Sequence, residues 1–122
     1  MKVVSPKFPG CEKLQNGFEL LDEWYTFKDF NPDMHVILAL QTHGMKGIDY
    51  QRAPFPCTWA RAQGKGRVFY TGLGHREDVW TNPLFQDLVL GGVGWAAGNV
   101  PASVVPNIEK ATPGYRQMQP EK

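Results

Sequence analysis

Apolar and polar positions divide the chain into a few short, unlike segments. Residues 1–17 hold no period, because Pro6, Pro9, Gly10 and Gly17 interrupt any pattern that begins. In "FELLDEWYTF", residues 18–27, apolar side chains fall at Phe18, Leu20, Leu21, Trp24, Tyr25 and Phe27. They fit neither a helical nor a strand period, and their aromatic content favours an extended segment. Turn chemistry follows at Asn31-Pro32-Asp33. Then comes "HVILALQ", residues 35–41, a nearly continuous apolar run. Such a run suits a strand covered on both faces, as in an α/β sheet. The polar, glycine-bearing stretch 42–54 reads as a loop.

"FPCTWARAQ", residues 55–63, alternates through Cys57, Trp59 and Arg61. Gly64-Lys65-Gly66 then turns the chain, and "RVFYTGL" returns. Two β-like runs around a short glycine-containing loop predict a hairpin, with 56–63 and 67–72 antiparallel. The strongest helix signal is "TNPLFQDLVLGGVGWAAG", residues 81–98. Thr81 or Asn82 can cap it, Pro83 sits at the first helical position, Asp87 lies toward the positive end, and Gly98 suits a stop. Leu84, Leu88, Val89, Val93 and Ala96 form the predicted apolar stripe. Gly91, Gly92 and Gly94 each cost about 1 kcal/mol relative to Ala in a helix. A helix keeps them mainly where something must approach closely, such as a sheet. Prolines punctuate the tail from Asn99, which reads as an extended arm. The organisation expected is one α/β domain over 1–98 and an arm over 99–122.

At 122 residues the chain suits one domain, and an apolar share of 42% argues against disorder. A net charge of +1, with scattered basic residues, gives no pull toward nucleic acid or a membrane surface. No apolar run approaches the ~18 residues of a membrane span, and "MKVVSPKFPG" lacks the core of a signal peptide. A cytoplasmic chain is expected. Cys11 and Cys57 stand alone, without metal-ligand spacing, so neither a zinc knuckle nor a secreted disulfide scaffold is indicated.

Chemistry concentrates at two places. "GKGRVFYTGLGH", residues 64–75, climbs from a turn and delivers His75 between small residues. In open α/β sheets ligands bind beyond the carboxyl ends of strands, so His75 is a site candidate; the plainer alternative is a loop histidine with one local hydrogen bond. Asp22-Glu23-Trp24-Tyr25 sets two carboxylates beside two large rings, an acid/base with a sugar-stacking surface. The alternative is a solvated strand edge with Trp24 in the core. Strand alternation would send Asp22 and Glu23 to opposite faces. His35 begins an apolar run and is expected half-buried with a hydrogen bond. His43 lies in a loop without metal-ligand partners, and Arg76-Glu77-Asp78 reads as a solvated helix approach. "LGGVG" follows no strand and "GKGR" lacks Walker spacing, so neither is a nucleotide fingerprint. No nucleophile elbow is present.

Three strings, "FELLDEWYTFKDFNPDMHVILAL", "PCTWARAQGKGRVFYTGLGHREDVW" and "NPLFQDLVLGGVGWAAG", resemble the trehalose-utilisation, or ThuA-like, family over about residues 3–115. The tail "VPNIEKATPGY" is similar to the extension that follows that domain. The resemblance implies a partial class I glutamine amidotransferase-like sandwich, with a flavodoxin-like parallel sheet, a β-hairpin and a C-terminal helix. It covers the C-terminal half of such a domain only, and "PKFPG" stands where the family shows a His-Pro pair. It implies carbohydrate catabolism, of trehalose or oxidised (keto) sugars, with a small-molecule carbohydrate as partner and no cofactor or metal named. Carried over residue by residue, His75, Glu23 and Tyr25 are the acid/base candidates at one cleft, with Trp24, Asp22 and Arg76 as substrate-binding candidates. Amidotransferase chemistry is not implied, since no cysteine sits in an elbow. Two rivals remain: a non-catalytic carbohydrate-binding or interaction module, and an inactive truncated fragment. With one convincing helix to cover "HVILALQ", one sheet face or edge is expected to be bare, inviting self-association or a missing N-terminal half.

Overall fold

A computed structural model describes residues 1–121; Lys122, the end of the expected arm, lies outside the described residues. Four strands form one sheet in the order β1-β2-β3-β4: β1 (Lys2–Val3), β2 (His35–Leu40), β3 (Phe55–Gln63) and β4 (Gly66–Thr71). Every pairing between these strands is antiparallel. The parallel sheet implied by the resemblance is therefore not what these strands build. The hairpin explains part of this: Gly64-Lys65 returns the chain directly beside β3, with Trp59 opposite Tyr70 and Gln63 opposite Gly66. The β2–β3 register shifts twice between Val36 and Ala39, opposite the stretch that holds Pro56. A proline that cannot donate to the ladder accounts for an irregularity there.

The helices are α1 (Glu77–Trp80), α2 (Pro83–Ala96) and α3 (Ile108–Ala111), with a 3-10 turn at Ile48–Tyr50. Asn82 caps α2, its side chain accepting from the Leu84 N–H at 2.9 Å, and Pro83 follows. The buried stripe is Phe85, Leu88, Gly92 and Trp95, while Val93 is 57% exposed. The stripe thus sits about one position from the expected one, because Phe85 and Trp95, not Val93, face the sheet. Phe8 stacks on Phe69 and meets Trp95 edge-on. Arg67 donates to the Trp95 carbonyl at 2.8 Å, using a cation to satisfy the helix's C-terminal end.

Alternation turns Tyr70 to the opposite face from Phe69. There Trp59 and Tyr70 stack at 4.2 Å between centroids, and Phe27 and Phe30 pack edge-on against Trp59. The tail completes this layer. Ile108 and Tyr115 are buried with Met34 and Val36, and the Asn107 side chain pairs with both the N–H and the carbonyl of Val36. Residues 99–121, expected as an extended arm, thus carry a helix and cover the sheet. Of the two expected openings, a face or an edge, the face over β2 is not bare: Val36 to Leu40 are all buried. What stays open is the outer edge of β4, while the β1 edge is flanked by a bridge to Gly17.

Candidate functional site

Past β4 the chain rises through Gly72 and Leu73 to Gly74, whose φ of +105° only glycine holds easily. A Cβ there would also press on the Phe85 ring at 3.1 Å. The Trp80 indole N–H donates to the Gly74 carbonyl at 2.9 Å, so α1 folds back beneath the bend. Small residues around His75 are thus required by a sharp, closely packed corner, which sends the imidazole outward.

The segment 18–28 reaches this corner without forming a strand. Asp22 is its anchor. One carboxylate oxygen accepts from the Gly74 N–H at 2.7 Å, and the other from the N–H groups of Arg76 and Glu23, each at 3.0 Å. Glu23 then meets His75, Oε2 to Nε2, at 3.0 Å. The expected split of Asp22 and Glu23 to opposite faces does not occur. Without a pleated strand both carboxylates turn to residues 74–76.

A carboxylate accepts only, so in the neutral ring this pairing puts the hydrogen on His75 Nε2 and leaves Nδ1 as the acceptor. That is the arrangement of an imidazole oriented by an acid and able to take or give a proton at its other nitrogen. The pair is half-open to water, with side-chain exposures of 47% for His75 and 58% for Glu23. It lies beside a shallow cavity of about 650 Å³ lined by His75, Arg76, Glu77, Asp78 and Thr81.

The other candidates fall differently. Arg76 binds Asp78 through two nitrogens, at 2.9 and 3.1 Å. That hydrogen bond holds the guanidinium above its ordinary value and the Asp78 carboxyl below its own. Tyr25 is half exposed and makes no hydrogen bond to His75 or Glu23; its phenol lies near Tyr70, whose own pKa is raised by burial first and Tyr25 next. Trp24 packs against the core and lines a second cavity. His35 is structural: Nδ1 donates to the Val105 carbonyl, which leaves Nε2 to accept from Ser5. Both cysteines are free and buried, each pushed up to about 12 chiefly by burial. They are not activated thiolates.

Two residues carry more than the sequence suggests. Tyr50 donates to the Trp24 carbonyl at 2.8 Å, and burial, then Asp49 and Glu23, raise its phenol. Arg52 is buried and donates to the carbonyls of Phe27 and Tyr115 while lying 4.4 Å over the Phe55 ring. Desolvation lowers its pKa. Neither stands at recognisable motif spacing; their roles depend on segments distant in the chain. Among the described residues no group of three or more His, Cys, Asp or Glu could hold a metal ion, and no helix is long and apolar enough to cross a membrane.

Sheet, helices and corner together define a mixed α/β domain in which a histidine on the loop after the last strand meets a carboxylate from the segment before β2. The ThuA family, described as trehalose utilisation, matches residues 1–96, and the chain belongs to that family. No curated protein and no solved structure matches it.

Proposed function

We propose that this chain acts on a carbohydrate in the catabolism of trehalose or a related keto-sugar, with His75 as the acid/base and Glu23 as the carboxylate that orients it. The observation that carries this is the 3.0 Å contact between their side chains. Nδ1 of His75 takes a proton from a sugar hydroxyl, or from the carbon beside a keto group, and Glu23 stabilises the imidazolium that results. Asp22 holds the loop in place. His75→Ala should abolish turnover of an oxidised disaccharide while the chain still melts cooperatively. Full activity in that variant removes the acid/base role.

The pair's exposure favours a second reading, a carbohydrate-binding or interaction module without turnover. It is supported if the purified chain binds trehalose yet turns over neither trehalose nor its keto form. Exposure also supports the proposal that the chain corresponds to the C-terminal half of a flavodoxin-like, amidotransferase-like domain, whose parallel strands would come from a leading half. The unpaired edge of β4 and the exposed Leu21, Leu90 and Val93 fit such a neighbour, or a second copy of the chain. Light scattering that finds a monomer at every concentration removes the second copy. A cytoplasmic setting accords with two reduced cysteines.

A further inference from the structure

The cavity beside His75 holds few free binding groups. Arg76 is committed to Asp78, His75 to Glu23, and the Thr81 hydroxyl to the Asp78 carbonyl. A second cavity, of about 560 Å³, is different in kind. It opens where β2 ends, between that strand and the segment that carries Glu23. Leu20, Leu40 and Trp24 line it together with three exposed polar side chains, Glu19, Gln41 and His43. None of these three has a hydrogen-bond partner among the described residues. A carboxylate, a carboxamide and an imidazole thus border one apolar hollow without a protein partner. Ligand sites combine an apolar lining with a few such groups, in hollows of roughly 300–1,000 Å³.

We infer that this hollow is a saccharide-binding site separate from the His75–Glu23 pair, with Trp24 receiving the C–H face of a sugar ring and Glu19, Gln41 and His43 its hydroxyls. A neutral sugar fits this chemistry: it offers an apolar face to a ring and many donors and acceptors to mixed polar groups, and it demands no net charge. The Tyr50 hydroxyl on the Trp24 carbonyl fixes the main chain there, so the indole is held before a ligand arrives. The proposal rests on the carbohydrate reading above and adds a second place, apart from the acid/base pair, where a sugar binds.

The test is an amide and indole NMR titration of the full chain with trehalose, repeated in Gln41→Ala, His43→Ala and His75→Ala. The polar side chains at 41 and 43 are exposed, so their loss should not unfold the chain. The expected result is a saturable shift of the Trp24 indole and of residues 41–45, weakened at least tenfold in Gln41→Ala and His43→Ala and unchanged in His75→Ala. Shifts confined to residues 74–76 would overturn the second site and leave the carbohydrate reading standing. No saturable shift anywhere would overturn the second site as well, and turnover of the keto-sugar would then decide the carbohydrate reading by itself.

Discussion

Three glycines on α2 allow the packing of that helix to be tested against one constant background. Replacing any of them by alanine gains about 1 kcal/mol of helix propensity, so a difference among the three comes from what the new methyl meets. At Gly91 it would fall on the backbone of Pro9 and 2.5 Å from the Gly10 nitrogen. No rotamer relieves a collision with main chain. The helix must move off the 8–11 turn, which also seats Phe8 and Cys11 in the core. Overpacking of this kind costs roughly 3 kcal/mol or a little more, so Gly91→Ala should be destabilising by about 2 kcal/mol net. At Gly92 the methyl would enter the Phe69 ring, which is stacked on Phe8. That side chain can shift only by disturbing a buried pair, and a net loss of about 1–2 kcal/mol follows. At Gly94 the nearest atom is Val100 Cγ2 at 3.2 Å, on a side chain that is 38% exposed and able to yield. Gly94→Ala should therefore be neutral or stabilising by up to about 0.5 kcal/mol, part of the propensity gain surviving. Urea denaturation of the three variants at matched m-values measures the order directly. If Gly91→Ala is as stable as the parent chain, the close seat of α2 on the 8–11 turn is wrong.

Asp22→Ala removes the acceptor for the Gly74 and Arg76 N–H groups; it should cost about 1–3 kcal/mol in a denaturant melt and broaden the His75 ring signals, and a change under about 0.5 kcal/mol would discount the anchor. Both thiols should resist an aromatic disulfide reagent at pH 8 in the native chain and react only on unfolding. Because their folded values stand near 12 against an ordinary 9.0, the unfolded chain loses these protons first. Their contribution is complete below about pH 9 and is lost as pH rises toward 12, by up to about 1.4 kcal/mol per pH unit for each thiol. Cys57→Ala should lessen that alkaline slope, and equal slopes in the two proteins would refute the burial argument.

Local signals carried the elements that local chemistry decides. Gly64-Lys65-Gly66 between alternating runs specified the β3–β4 hairpin, and Asn82-Pro83 specified where α2 begins. The nearly unbroken apolar run 36–40 reported burial on both faces, as found. It did not report what supplies the second cover. Ile108 and Tyr115 sit among prolines and polar residues without a period, and only contact with Met34 and Val36 gives them a place. The sense of the sheet was likewise hidden, since a doubly buried strand reads alike in parallel and antiparallel company. At the candidate site, His75 and Glu23 stood out as residue types. Their meeting depends on Asp22 capturing backbone N–H groups 52 and 54 residues away, which no spacing rule reveals.

Arg52 has a consequence for the order in which this chain can be built. Its guanidinium joins the carbonyl of Phe27 to that of Tyr115, so it ties a segment made early in synthesis to one made late. All four strands and α2 precede residue 97 and can assemble as they emerge. The layer over Val36 and Trp59 cannot close until residues 107–115 have been added. During that interval the growing chain carries an open aromatic face and a buried-to-be cation with half its partners unmade. The stretch that matches the family, 1–96, therefore leaves this layer uncovered; the clasp comes afterward, and residues beyond that stretch are answerable for how long the nascent sheet stays vulnerable to the wrong partner.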